Sequence, residues 1–523
     1  MRRHTVQLND LILMGCLGLS LCACSGSGGG VATAPAGSGS PNGNTPGNGN
    51  GTPPQVVGSA GGPQLLFTDL SSGPRTGNSD TSVGTGGAIV TVWGRGLGGT
   101  QGQSTITIGG VTAPVYEWRN ANGPAADMYS KHGMQMISFL VPSAAPLGDQ
   151  SIRVTVGGVT TNALPFTVRT DGNIYYVKTG GLDGNNGAWS APWGTIPHAV
   201  DAVDNGDIIY VGNGVSATTR HEFHGCVNLN RDGSAALPRA LVAYPGATVN
   251  VGGAGATCDD AFDNFNGDTG NASTYWTVAK IRALGVGGDQ SALGVYTGYR
   301  LVGNFVRMNR PHDNCQSGAI AGEGNDFVIL GNQISDTAVD NPDTVSKLCH
   351  TIYLSGKRSS SIFTDTCGGV RCPTESNREI GWNLLNDNYN NRGINLYSEQ
   401  DRSAFIEGYK VHDNYIINHR GDGILIGYYV TGENWFYNNV LIDTGLGPEW
   451  TGGEISGHYA MQINGGHESG RATTLHVWNN TIYGGGFPAN PSSAALTWYQ
   501  GNEPGIAVTL DFKNNIVYSP NVP

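Results

Sequence analysis

The chain has 523 residues and a formal net charge of −12, with 82 glycines, 13% charged residues and 8% aromatic ones. That acidic balance argues against a general nucleic-acid binder, whose footprint would be basic, and the scarcity of charge argues against coiled coils and helical bundles. What remains is an all-β chain of two or three domains with many turns.

The first 24 residues read as an address. Arg2, Arg3 and His4 precede an apolar run from Leu11 to Ala23, which is too short to span a bilayer and fits an export signal. The run ends in "LCAC", with small Ala23 directly before Cys24. This tetrapeptide resembles the lipobox of bacterial lipoproteins. The resemblance implies a lipidated Cys24 at the mature N-terminus. Ser25 and Gly26 follow it instead of an early aspartate, which implies an outer-membrane lipoprotein of the cell envelope, surface-exposed or periplasmic. An ordinary secretory signal cleaved nearby is the alternative. Residues 25–62 are almost wholly Gly, Ser, Pro, Asn and Thr, a composition that cannot bury enough apolar surface to order itself and so makes a flexible tether.

Residues 63–168 alternate as short strands, "AIVTVWG" at 88–94, "STITIGG" at 104–110, "QMISFLVP" at 135–142 and "SIRVTVGG" at 151–158. Glycine and proline punctuate them in the manner of a β-sandwich. The turns in "GGAIVTVWGRGLG", "IGGVTAPV" and the closing "PFTV" resemble the IPT/TIG immunoglobulin-like family, whose modules usually serve as spacers or binding domains.

From about residue 172 the pattern changes. Residues 172–214 hold a strand, a glycine-rich turn, a short helix with Ile196, Ala199, Val200 and Val203 on one side, and a second strand. This resembles the opening segment of right-handed parallel β-helix proteins, where a helix covers the apolar end of the first coil. The repeat then follows: Asn304, Asn332, Asn383, Asn414, Asn439, Asn480 and Asn515 each stand beside an apolar strand, with gaps of 28, 51, 31, 25, 41 and 35 residues. Coil length therefore varies through loops while the strands keep register, and stacked asparagines can bond along such a ladder. The solenoid is assigned to residues 172–523, and the lack of a cap after "NNIVY" reads as truncation.

A second strand recurs in each coil as "HTIYL" at 350, "RGINL" at 392, "DGILI" at 422 and "YAMQI" at 459. Aligned, Ile352, Ile394, Ile424 and Met461 form a buried column, Thr351, Gly393, Gly423 and Ala460 a column of small residues, and His350, Arg392, Asp422 and Tyr459 a column of unlike polar groups. Coils repeat about every 4.8 Å, which brings the four within roughly 15 Å. Imidazole and phenol move protons, a guanidinium neutralises a carboxylate, and a carboxylate orients either. The small column would let a flat sugar chain approach. Lys357, Arg358, Tyr397 and Glu399 lie just past the same strands and make an adjoining binding row. The structural alternative is a set of satisfied corner residues, with Arg392 and Asp422 as a salt bridge. Asp336, Asp340 and Asp343 in "DTAVDNPD" are the candidate calcium ligands, against a solvated turn.

Six cysteines remain after the signal and Cys24. Aligning "CQSGAI" with "LCHTIY" pairs Cys315 with Cys349; Cys367–Cys372 closes a small loop, and Cys226–Cys258 follows by elimination. The solenoid resembles in architecture the pectate, alginate and chondroitin lyases, with some glycosidases and epimerases. That resemblance covers the repeat and its opening segment, with no catalytic motif matched. It implies a carbohydrate-active protein, foremost a polysaccharide lyase on a uronate polymer: Arg392 or Lys357 as neutralising cation, His350 or Tyr459 as proton carrier, calcium as the only ion suggested, and no nucleic-acid partner. Hydrolysis would need two carboxylates, for which Glu399 and Asp422 are nearest. A non-catalytic adhesin or polysaccharide-binding lipoprotein is the reading from another class.

Overall fold

In the second half of the chain every coil turns the same corner, and the asparagines make it. The residue before each is in the left-handed region: Gly303, Gly331, Trp382, Asp413, Asn438, Asn479 and Asn514 have φ between 51° and 65°, a conformation that glycine, asparagine and aspartate accept most readily. Asn304 accepts the Ile281 N–H, and from Asn332 onward each asparagine accepts, on its Oδ1, both the backbone N–H and the amide Nδ2 of its counterpart one coil earlier. From Asn304 to Asn515 the ladder is unbroken, at 2.8–3.2 Å. The computed structural model describes residues 61–267, 269, 271–285, 291–308, 317–338, 348–356, 376–397, 406–427, 430–447, 458–464, 472–488, 493–499 and 507–520.

The ladder sets the register of three parallel sheets. Among the described residues, an eleven-stranded sheet runs from Ile174–Val177 to Val508–Lys513, a ten-stranded sheet from Ser216–Ala217 to Ile516–Tyr518, and a seven-stranded sheet from Leu293–Val295 to Ala494–Trp498. The chain is thus an all-β protein built on a parallel β-helix. Helix α1, Ile196–Ala202, begins at Thr195, whose side chain accepts the His198 N–H, and it lays Ile196, Ala199 and Val200 onto the first coil. Cys226 and Cys258 form a disulfide with a Cα–Cα distance of 5.2 Å.

Residues 64–169 form two sheets, of four and six strands, that share one core. That core continues into the solenoid. Ile174, Tyr176, Ile208, Tyr210, Val242, Ala279 and Val302 belong to the same apolar cluster as Phe67, Val90, Trp93 and Leu140. The sandwich is therefore no free-standing spacer but a cover on the long sheet's outer face.

Two outward columns of that sheet record where the cover ends. One reads Tyr176, Tyr210, Val242, Ala279, Val302, Leu330, Gly381, His412, Tyr437, Trp478, Lys513 in successive coils. The other reads Ile174, Ile208, Ala240, Thr277, Arg300, Val328, Glu379, Lys410, Trp435, His476, Asp511. Both are mainly apolar where the sandwich packs and turn charged and aromatic beyond it.

The seam holds a buried ion pair. Lys280 Nζ lies 3.2 Å from Asp69 Oδ2, with side chains 5% and 0% exposed, and donates to Thr91 Oγ1 at 2.6 Å. Asp69 Oδ1 accepts from the N–H groups of Leu70 and Thr91. Removing one member of such a pair strands the other charge out of water. Lys280→Met is therefore expected to cost about 3–5 kcal/mol in chemical denaturation, and Lys280→Met with Asp69→Asn to cost less than the single change. An exposed, expendable lysine would show neither effect.

Candidate functional site

The seven-stranded sheet pairs Ile352 with Ile394, Ile394 with Ile424 and Ile424 with Met461. Two residues upstream, His350, Arg392, Asp422 and Tyr459 consequently follow one another on four consecutive coils. The hydrogen bonds between them run through the backbone of the small column: Thr351 N–H to Arg392 O at 2.7 Å, Gly393 N–H to Asp422 O at 2.7 Å and Gly423 N–H to Tyr459 O at 3.1 Å.

Asp422 is the centre of the group. Its side chain is 0% exposed; Oδ2 stands 3.3 Å from Arg392 Nε, and Oδ1 accepts the Tyr459 N–H at 2.8 Å. Burial raises its pKa to about 6, against the opposing pull of Arg392 and the Tyr459 N–H. Arg392 keeps 21% of its side chain exposed. Tyr459 is half-buried, and burial, with Asp422 nearby, raises the phenol above its ordinary value.

His350 departs from the role the sequence suggests. It is 1% exposed, because it shares inward parity with Ile352. Burial, with Arg392 and His419 adding to it, holds its pKa well below the usual imidazole range, so the ring is neutral and shut away from solvent. Behind it, Thr351 Oγ1 bonds Asn390 Oδ1 at 2.9 Å and His419 Nε2 at 3.0 Å, and burial lowers His419 to about 4. This inner network of Thr351, Asn390 and His419 has no sequence motif. The small column also has another cause than sugar access: a Cβ on Gly393 would meet Gly423 O at 2.4 Å, and one on Gly423 would meet Ala460 O at 2.6 Å. Those glycines answer to the next coil.

Tyr397 donates its backbone N–H to Leu354 O at 3.2 Å and packs over Gly427, where a Cβ would lie 2.4 Å from its Cδ2. Asp336 occupies a left-handed turn position, φ 56°, and donates its N–H to Asn386 O. Cys349 is disulfide-bonded. Lys357, Arg358, Glu399, Asp340, Asp343, Cys24, Cys315, Cys367 and Cys372 lie outside the described residues. Among the described residues no group of three or more His, Cys, Asp or Glu side chains is set to hold a metal.

Sequence inspection passed over a second polar array, on the uncovered end of the long sheet. His476 bonds Glu433 through Nε2 at 3.0 Å and Asp511 through Nδ1 at 3.1 Å, and its ring stacks on Trp435 at 5.7 Å. Trp478 Nε1 also donates to Asp511, and Lys513 pairs with it. One step nearer the sandwich, His412 stands between Glu379 and Asp413, 3.1 Å from each, and stacks on Tyr437 at 4.9 Å. Burial alone would lower the His412 pKa; the bonds to Asp413 and Glu379 outweigh it and raise the value. The signal was present as alternation in "ENWFYNN", "TTLHVWNN" and "TLDFKNN", where Glu433, Trp435, His476, Trp478, Asp511 and Lys513 share the parity opposite to core residues Phe436, Leu475 and Val477.

No protein-family model and no curated protein matches the chain. Among solved structures the chain is similar to a pectate lyase, Pel9A, at 13% identity over 68% of this chain and 79% of that one, with a TM-score of 0.36. It is also similar to XylC in complex with xylose, at 12% identity over 60% and 71% with a TM-score of 0.30. A rhamnogalacturonan lyase matches at 13% over 65% and 87%, with a TM-score of 0.26.

The buried carboxylate makes the column pH-sensitive. Asp422 binds its proton more tightly folded, near 6, than at its ordinary 3.8. Its stability contribution is thus full below about 3.8 and lost as pH rises through about 6. Relative to Asp422→Asn, the wild type is expected to gain about 1–3 kcal/mol in denaturant titration between pH 7 and pH 4. A difference that stays flat with pH would show that Asp422 ionises freely.

Proposed function

We propose that the protein is a carbohydrate-active lipoprotein, held to the outer membrane through Cys24, that cleaves a uronate-containing polysaccharide as a lyase. The observation that carries this reading is Arg392, partly exposed and oriented by the buried Asp422 of the next coil, with the half-buried Tyr459 one coil further on. A guanidinium matches the planar geometry of a sugar carboxylate, and a carboxylate anchoring its Nε holds it in place for that contact. Neutralising the uronate acidifies its C5 proton and stabilises the enolate-like charge that forms when solvent hydroxide removes that proton and becomes water. The electron pair of the C5–H bond becomes the C4–C5 double bond as the C4–O bond breaks. The departing glycosidic oxygen takes its proton from Tyr459, whose raised pKa keeps the phenol protonated at neutral pH. His350 and Asp422 position the column and do not touch substrate.

A second reading has its own observation. The outer face of the long sheet beyond the sandwich, with partly exposed Trp435, His476 and Trp478, suits a non-catalytic adhesin that holds a polysaccharide along the solenoid.

The test is a soluble form beginning at Ser25, incubated with a panel of polyuronates with and without calcium while the ultraviolet absorbance of unsaturated product is followed. Wild type is expected to raise the absorbance, Arg392→Ala to lower kcat/KM by about 100-fold or more and Tyr459→Phe to lower kcat. New reducing ends without absorbance would mean hydrolysis. Neither signal on any polymer would move the assignment to the adhesin.

A further inference from the structure

Beside the seam with the sandwich, the first coils of the solenoid form an open-sided cavity of about 330 Å³, far along the molecule from the Arg392 column, lined among others by Tyr176, Lys178, Trp189, Asn213 and Tyr244. Three consecutive residues of one sandwich loop hold its aromatic walls. Asn78 Oδ1 accepts from the Tyr176 hydroxyl, Ser79 Oγ accepts from the Trp189 backbone N–H at 2.9 Å, and Asp80 Oδ2 accepts from the Tyr244 hydroxyl at 2.6 Å. Burial opposes the Asp80 charge, but bonds from Tyr244, Ser82 and Tyr116 lower its pKa and keep it ionised. The rings also brace each other, Tyr176 edge-on to Trp189 at 5.0 Å and Trp189 tilted on Tyr244 at 5.1 Å. The walls are therefore fixed before any ligand arrives.

Into this frame projects one ammonium. Lys178 Nζ sits 2.9 Å from the centroid of the Trp189 ring and donates to Trp189 O at 2.8 Å. An ammonium has three N–H donors; that carbonyl takes one, and no carboxylate pairs with Lys178 among the described residues. Burial lowers its pKa, with only Asp80 at a distance opposing. The cation is pinned against the ring, so binding an anion need not order a flexible side chain. Beside it, Asn213 has its Oδ1 committed to the Thr248 N–H at 2.9 Å, which leaves the amide nitrogen to donate to a hydroxyl.

We propose that this cavity is a second, non-catalytic subsite that binds one uronate residue of the polymer, with its carboxylate on Lys178, a ring hydroxyl on Asn213 and its apolar side against the tyrosine walls. The choice of a uronate rests on the lyase reading above; the ring-plus-anion chemistry rests on the cavity alone. A cavity of this size accommodates a sugar unit with room for the polymer to continue. Its lining residues all belong to the solenoid, and the sandwich takes part through the 78–80 loop that holds three of them in place.

The experiment uses the Ser25 form carrying Arg392→Ala, which removes the other candidate carboxylate site, and isothermal titration with galacturonate and trigalacturonate, with galactose and sodium sulfate as the comparison ligands. Saturable binding of the uronates to one site is expected, about tenfold or more tighter than galactose. Lys178→Met, which preserves the stem on Trp189 and removes the charge, is expected to lose about tenfold in affinity with an unchanged melting temperature. Lys178→Arg is expected to retain most of it. Sulfate binding as tightly as the uronates would make this a general anion site and overturn the proposal, as would uronate binding indifferent to Lys178→Met. The two readings fail separately. Turnover by wild type without Lys178-dependent binding removes only the subsite, whereas Lys178-dependent binding by a protein that cleaves nothing removes only the lyase.

Discussion

A solenoid buries the inner face of each strand against its own coils but leaves the outer face to find a cover or become polar. That constraint organises this molecule. The asparagine ladder from Asn304 to Asn515 locks the coils in register, and once register is locked every outward position becomes a continuous column. The column that starts with Tyr176, Tyr210 and Val242 is apolar because the sandwich packs on it. The same column continues through buried His412 and Tyr437, which meet polar partners and one another, and ends in Trp478 and Lys513, where water takes over. A parallel sheet usually reads as a near-continuous apolar run because both faces are covered; here only part of the sheet meets that condition.

The cover explains why a buried charge pair stands at the seam. Arg300 caps the backbone carbonyls of Thr68 and Asp69 at 2.7 and 3.0 Å, and Lys280 reaches the Asp69 carboxylate. Such polar locks contribute little net energy compared with the apolar cluster around them, yet they penalise any slipped docking in which a charge loses its partner. They therefore fix where on the long sheet the sandwich sits. Position matters, because the 78–80 loop has to arrive over Tyr176, Trp189 and Tyr244 in one alignment.

Much of this was legible in the sequence, for physical reasons that also mark where legibility stops. The coil corner demands a left-handed residue followed by an asparagine that can both give and accept, so the dipeptide recurs visibly whatever the loop length. The alignment of "HTIYL", "RGINL", "DGILI" and "YAMQI" likewise gives the observed pairing of Ile352, Ile394, Ile424 and Met461. Exposure was harder to read. His350 has the parity of a core residue, and whether a corner position opens to solvent depends on contacts that no local pattern reports. Docking of the sandwich left a trace in "IIYV" at 208–211, where all four residues are buried, since a strand with both faces apolar requires a cover on both. That trace names no partner. The cavity walls left none, because Asn78 and Tyr176 are 98 residues apart and Asp80 and Tyr244 are 164.

Depth divides labour within the Arg392 column, whose members share one parity: Asp422 is 0% exposed and Arg392 21%. A carboxylate facing inward at Asp422 cannot meet a polymer, but it can hold a guanidinium whose outer part remains in water and tie down the backbone of the following coil through the Tyr459 N–H. Burial raises the cost of its charge, and the Arg392 guanidinium becomes the partner that offsets it. Arg392 is thereby held more rigidly than a surface arginine, whose side chain would lose rotamer freedom on meeting a substrate. The buried residue supplies orientation and the partly exposed one supplies contact, and neither can be replaced by moving its chemistry one position along the strand, which would carry it to the opposite face of the sheet.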